Sequence, residues 1–334
     1  MISRRTLLKG AATIGAFSFV PRLGLAASAP TLPRRRVYVG YYGDRRGTVE
    51  AAMGAKMALG RVYVQASTPS STVSVLNTYA KSQLDAGILP IISAKCGTGG
   101  NEDWSWTDDW RAVASGAYDG WWKRQRAAAL ADGRKFVLAL HHEPELDGRA
   151  DAYRAACYHA YHTFHTDAAG NWSPVPNIRW AYIVGGERAV KNPYRNPHDA
   201  SDPNNGDLWA DAYWPAVGVH YLGCAPYSWC ASTGWQQGSF AYVSDQLHAY
   251  AAGRRTPYFY TEVGRYADSG QDEWVEAMAP TLLSYASDDR RAGCKGFVYF
   301  DRDSRYKGHC DWRLTDASIA QWDVFASTAG FRTR

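Results

Sequence analysis

Two short stretches concentrate the side chains that could do chemistry. In the first, Phe136 to Leu140 is an apolar run of strand length, followed at once by His141-His142-Glu143-Pro144-Glu145. In the second, Pro257-Tyr258-Phe259-Tyr260-Thr261 is β-branched and aromatic and ends in Glu262, with Gly264 two residues on. A carboxylate at the end of each of two buried strands can work as a pair. One attacks an anomeric carbon while the other protonates the leaving oxygen and then activates water, which gives retention when the carboxyl groups are about 5 to 5.5 Å apart. Pro144 cannot continue a central strand. The residues after Leu140 therefore start a loop at a strand end, where parallel α/β folds place their chemistry.

The elements that must position these groups follow from the rest of the chain. Strand-like runs occur at Arg36 to Tyr42, Arg61 to Gln65, Ile88 to Ala94, Phe136 to His141, Ile178 to Val184, Ala216 to Tyr221, Pro257 to Glu262 and Gly296 to Asp301. Helix-length, Ala-rich or amphipathic segments separate most of them. Such alternation predicts a parallel sheet, and eight runs predict a closed, single (β/α)8 TIM barrel in which strands four and seven carry Glu143 and Glu262 to one mouth. No repeat, low-complexity block or linker divides the chain.

The segments after the strands are rich in Trp, Asp and Arg, as expected of a polar ligand cleft. They are Gly97 to Trp106 after strand three, Cys224 to Cys230 after strand six, and Arg302 to Tyr306, reaching Asp311-Trp312, after strand eight. Trp104, Trp106, Trp229 and Trp312 are accordingly expected substrate contacts, as is Asp301 at the end of strand eight. A supporting role in the fold is the plainer reading for Asp301, Asp303 and Glu145. Gly186 to Asp207 is expected to loop over the same face.

Composition narrows the partners. Residues 1–29 carry Arg4, Arg5, Lys9 and Arg22, no acid, a short apolar stretch and a small-residue run at Ala26 to Ala29. This matches a twin-arginine export signal, and the apolar run is well short of the roughly 20 residues a membrane span needs. The expected mature chain, residues 30–334, is secreted and free of the membrane. Its formal charge is 5 − 4 = +1, so the basic character belongs to the signal and no nucleic-acid footprint remains. Fourteen Trp and twenty-two Tyr suit pyranose faces, although a large core would also use them. A monomer with no cofactor is expected.

Six cysteines in an exported chain permit disulfides. Cys294 and Cys310 bracket strand eight and begin roughly 20 Å apart at about 3.3 Å per strand residue, too far to pair. Cys224 and Cys230 share one loop and are the expected pair. Cys157, in the Ala-rich segment after strand four, reads as a buried free thiol.

His142-Glu143-Pro144-Glu145 is similar to the strand-four motif of secreted actinobacterial members of glycoside hydrolase family 26, typified by β-mannanases and part of the large clan of retaining enzymes. The likeness spans the mature chain in strand order, through Val217-Gly218-Val219, Thr261-Glu262-Val263-Gly264 and Asp311-Trp312-Arg313-Leu314. The resemblance implies that Glu143 is the acid/base, Glu262 the nucleophile, and His142 a residue supporting the site, with a polysaccharide or oligosaccharide as substrate. The family usually has an acidic residue and then an offset Tyr after the strand-six Gly-Val. Here His220-Tyr221 follow, which leaves Tyr221 or Tyr227 as the contact to the nucleophile; Tyr221 joins the expected substrate contacts. Phe300 stands where mannanases commonly offer a Trp platform.

Two other readings remain at this point. A metal-dependent barrel would use His141, His142, Glu143, His198 and His220, although such barrels often begin with a His pair on strand one, which Val37 to Gly43 lacks. A non-catalytic carbohydrate-binding barrel has no need of both strand-end glutamates.

Overall fold

The computed structural model describes residues 36–99, 105–186, 209–231, 237–286, 292–305 and 310–334. The expected export signal, Trp104, His198 and most of the Gly186 to Asp207 loop lie outside the described residues.

Eight parallel strands form a closed barrel: β1 (Val37–Gly43), β2 (Leu59–Ala66), β3 (Leu89–Cys96), β4 (Phe136–Leu140), β5 (Ile178–Ile183), β6 (Tyr221–Cys224), β7 (Tyr258–Arg265) and β8 (Cys294–Asp301). Each pairs with the next, and β8 closes on β1 over the register Tyr38↔Gly296 to Gly43↔Asp301. The barrel is lined by Leu59, Ile91, Val137, Ala139, Ala181, Ile183, Phe259 and Val298, which pack into one buried cluster. These residues occupy alternate positions on their strands, so the others face the helices. The helix-facing set, including Val62, Ile92, Leu138, Tyr182 and Tyr260, belongs to the larger outer core.

The helices that matter most for the site are α1 (Trp106–Ala114), α2 (Asp119–Asp132) and α3 (Ala150–Phe164). Trp106, Trp110, Trp121 and Trp122 on α1 and α2 are almost wholly buried. Much of the aromatic content is therefore packing between the sheet and the helices.

The sixth strand differs from the expected run. Gly218 has φ +79°, which breaks extended backbone, so Ala216 to His220 form an irregular approach and pairing with β5 starts only at Tyr221↔Ala181. This shift corrects the cysteines as well. Cys224 lies within β6, buried and free, while Cys230 bonds Cys310 with Cα atoms 5.8 Å apart. The expected Cys224–Cys230 pair fails because a strand residue facing the helices cannot turn to a partner beyond the strand end. Cys157 is buried and free, and Cys294, also free, is not joined to Cys310.

Candidate active site

The chain leaves β4 through two residues that carry side chains at positive φ, His141 at 61° and Glu143 at 53°. Left-handed backbone at a non-glycine residue costs free energy and persists where the surroundings enforce it. Here the His141 amide donates to Ala94 on β3 at 2.9 Å, and the Glu143 amide donates to Ile183 on β5 at 2.8 Å. Both neighbouring strands thus hold the turn. Pro144 starts a short 3-10 turn, Pro144–Leu146.

The four side chains after Leu140 then separate. His141 is buried, with its ring edge-on to Trp106 at 4.7 Å and Trp110 at 5.1 Å, and it hydrogen-bonds Asp147. Burial pulls the imidazole down to about 4, Lys95 pulls the same way and Asp147 opposes both. His142 is half-buried, its ring 5.1 Å from that of Tyr63 on β2. Glu143 is half-buried. Glu145 is buried, accepts the Gly185 amide at the end of β5, and is raised by burial to about 7.

Glu262 reaches the same mouth because β7 carries a bulge. The register with β8 runs Tyr260↔Phe297 and then Val263↔Tyr299, so Thr261 and Glu262 together oppose Val298. Without that extra residue, strict alternation from the inward Phe259 would aim Glu262 at the helices. Glu262 is 7% exposed and its two oxygens have different partners. Oε1 accepts from the Arg61 guanidinium, Nη2 at 3.2 Å and Nε at 3.3 Å, and Oε2 accepts from the Tyr227 hydroxyl at 2.9 Å. Arg61, on β2, is itself buried; it also donates to the Ile91 carbonyl at 3.2 Å and lies 4.4 Å from the Tyr63 ring centre. Burial and the Glu262 charge push the Tyr227 phenol well up, so it stays protonated and donates.

Glu143 is raised well above the ordinary carboxyl range, first by burial, then by the charges of Glu262, Glu145 and Asp147, with Lys95 opposing. The mouth thus holds one carboxyl group fixed by three donor contacts and a second that binds its proton more tightly than an ordinary carboxyl does. Around them stand Tyr42, Tyr63, Phe300 and Tyr227. Tyr42 stacks on Phe300 at 5.3 Å and meets Tyr63 edge-on at 5.3 Å, and Tyr227 meets Phe300 edge-on at 6.0 Å.

The other expected contacts take differing positions. Trp106 is 1% exposed and caps His141, while Lys95 sits 5.1 Å from its ring centre. Trp312 is 2% exposed beneath Tyr227 and Trp229, with ring centres 4.6 and 5.0 Å away. Trp229 is half-buried. Asp301 is buried and joins loops together: it accepts from the Tyr41 hydroxyl, from Arg45 at 2.8 and 3.1 Å, and from the Leu314 amide at 2.7 Å. Tyr221 begins β6 and packs on Phe259 at 4.9 Å, at the opposite end of the barrel from Glu262. It is Tyr227 that meets Glu262. His220, just before Tyr221, accepts the Trp180 amide at 3.1 Å and is likewise remote from Glu143. Among the described residues no group of three or more His, Cys, Asp or Glu side chains converges as a metal ion would need. Sequence reasoning missed Arg61 and Tyr63. A signal for both was there, a charge inside the apolar run Leu59 to Val64 with Tyr63 in phase with it.

No protein-family description and no curated protein sequence matches the chain. Solved structures do. The Bacillus subtilis mannanase BCman superposes with a TM-score of 0.55 over 90% of this chain and 87% of its own, at 16% identity. A modular endo-β-1,4-mannanase from Cellulomonas fimi gives 0.55 over 89% of this chain and 72% of its own, at 14% identity. The fold is that of the family 26 mannanases. A fungal β-1,4-galactanase gives 0.51 over 86% of this chain and 98% of its own, at 10% identity. At such identities the likeness is one of fold, and the chemistry rests on this chain's own residues.

Proposed function

We propose that the protein is a retaining glycoside hydrolase acting on a β-glycan, β-mannan or a related polymer, by double displacement. Glu262 attacks the anomeric carbon as the glycosidic bond breaks, and Glu143 gives its proton to the departing oxygen. Glu143, now a carboxylate, takes a proton from water, whose oxygen displaces Glu262 from the anomeric carbon and restores both groups. The observation that carries the reading is the unequal treatment of two carboxyl groups at the ends of β4 and β7. Arg61 and Tyr227 donate hydrogen bonds to Glu262, while burial and then the Glu262 charge raise the proton affinity of Glu143. Such a split of environments assigns acid and nucleophile.

Half-buried Trp229, Phe300 and Tyr42 offer aromatic surface to sugar rings, and His142 supports Glu143 from the adjacent position. Phe300 still stacks where a Trp would, with less area. The reading is tested by proton NMR of the first product released from mannans, glucans, xylans, arabinans and galactans. The retained anomer is expected, with Glu143→Ala and Glu262→Ala each removing most of the activity. The inverted anomer appearing first, or activity surviving in Glu262→Ala, overturns it.

Export as a monomer belongs to the same proposal. Arg4-Arg5 and the following apolar stretch support a twin-arginine signal, the Cys230–Cys310 disulfide suits an oxidising compartment, and no described helix is long and apolar enough to cross a membrane.

A further inference from the structure

We propose that the Cys230–Cys310 disulfide is a positioning element for the nucleophile: it clamps the Tyr227–Cys230 segment onto the Cys310–Trp312 segment and so keeps the Tyr227 hydroxyl on Glu262. The inference rests on reading Glu262 as the nucleophile.

The two clamped segments differ in what else holds them. On one side, the Cys310 carbonyl accepts the Ser304 amide at 3.2 Å, the Trp312 amide donates to the Arg302 carbonyl at 2.8 Å, and the Asp311 carbonyl accepts the Ala267 amide at 2.8 Å. Asp303 and Asp311 form an isolated antiparallel bridge. The Cys310–Trp312 segment is therefore built onto the exits of β7 and β8. On the other side, Tyr227 and Ser228 make a two-residue parallel pairing with Gly264 and Arg265, too short a ladder to fix a loop by itself, and Ser228 also accepts the Tyr266 amide at 3.3 Å and the Gly238 amide at 3.2 Å. The disulfide and the Cys230 amide, 2.9 Å from the Cys310 sulfur, tie this second side to the first.

Between the ties the rings form a closed triangle. Tyr227 lies 4.6 Å from Trp312, Trp312 lies 5.0 Å from Trp229, and Trp229 lies 5.9 Å from Tyr227, centre to centre. The floor under two of them is backbone. A Cβ on Gly264 would meet the Tyr227 ring at 3.0 Å and the Trp312 ring at 3.4 Å. The glycine two residues after Glu262 thus lets Tyr227 approach β7 closely enough to reach Oε2. Breaking the clamp frees the Tyr227–Cys230 segment to lift from Gly264, and the 2.9 Å hydrogen bond from Tyr227 to Glu262 breaks first. Displacement of a positioning group by as little as about 1 Å can cost up to about a hundredfold in rate.

The test is a double-mutant cycle in kcat between Cys230→Ser and Tyr227→Phe, with thermal stability followed alongside. Cys230→Ser is expected to lower kcat about tenfold with KM changed less than about twofold. In the Tyr227→Phe background the same change is expected to lower kcat less than about twofold further, while its effect on Tm is the same in both backgrounds. Should Cys230→Ser not fold, the pair Cys230→Ala/Cys310→Ala takes its place. Independent, multiplicative losses in kcat, or an unchanged kcat in the folded cysteine variant, overturn the proposal. A crystal structure of the cysteine variant separates this failure from that of the functional reading. If the wild type hydrolyses no glycan, the reading of Glu262 fails. A Tyr227 hydroxyl still within hydrogen-bond distance of Glu262 in the variant sinks the clamp whatever the activity.

Discussion

Replacing Glu145 by Gln should stabilise the protein at about pH 8 and leave its stability at about pH 4 nearly unchanged. Glu145 is 1% exposed, and burial lifts its carboxyl from 4.5 to about 7 in the folded protein, against the lowering effect of the Gly185 amide. Between those two values the folded chain holds a proton that the unfolded chain has released, so the wild-type stability falls as pH rises through this window and levels off above it. A displacement of this size corresponds to about 3 kcal/mol of folding free energy. Gln cannot ionise and escapes the loss. It retains a carbonyl to accept the Gly185 amide, and its NH2 replaces the Oε2 side, which has no hydrogen-bond partner among the described residues. An unsatisfied buried donor costs about 1–3 kcal/mol, but the protonated wild-type carboxyl carries the same unsatisfied donor at low pH, so this cost largely cancels. Urea unfolding of both proteins across the range measures the difference, in which the titration of all other groups drops out to first order. The expected curve is flat below about pH 4.5 and rises by about 2–3 kcal/mol in favour of Gln by about pH 8. A pH-independent difference, or one that favours Glu at high pH, would refute the assignment of a buried, late-ionising Glu145.

Three further outcomes follow from the geometry. Arg61→Met should lower kcat by at least about a hundredfold and destabilise the fold by about 3–5 kcal/mol, because it leaves Glu262 buried without its guanidinium partner; activity assays and denaturant unfolding check both. Asp301→Ala should cost about 2–3 kcal/mol, below the full buried-pair value because Arg45 is 34% exposed, and a thermal melt measures it. Alkylation of the folded protein should leave Cys96, Cys157, Cys224 and Cys294 unmodified, since all four are buried, and unreduced peptide maps should show Cys230 joined to Cys310; modification of Cys224 in the folded state would contradict its place within β6.

The barrel was legible because apolar runs of strand length alternate with helical segments, and the other seven expected runs coincide with β1–β5, β7 and β8 within a few residues. The sixth was misplaced because Val217, Val219 and Tyr221 alternate as a strand does, while the deciding feature is the backbone of Gly218, whose φ of +79° no side-chain pattern announces. That error carried into the cysteines. With strand six ending at Tyr221, Cys224 reads as a loop residue; with it ending at Cys224, the thiol faces the helices and only Cys230 is left to bridge. The pairing of Cys230 with a residue 80 positions away depends on how two strand-end loops meet across the barrel mouth, and local spacing does not encode that.

The two glutamates were readable as residue types at strand ends, but the features that aim them were not. Glu143 depends on positive φ at His141 and at itself, and Glu262 on a bulge opposite Val298. Both are departures from regular strand geometry, and both place a carboxyl group where alternation would not. The tryptophans illustrate the converse. Trp106 and Trp312 stand in loop-like, polar stretches that suggest sugar contacts, yet both are buried, and each acts on the site at one remove. Trp106 packs on His141, which with Asp147 secures the turn carrying Glu143. Trp312 packs on Tyr227, which holds Glu262. Each carboxyl group is thus reached through a polar side chain backed by a buried Trp. Truncating either Trp should therefore lower kcat more than it raises KM, whereas a Trp in contact with the glycan would show the opposite ratio.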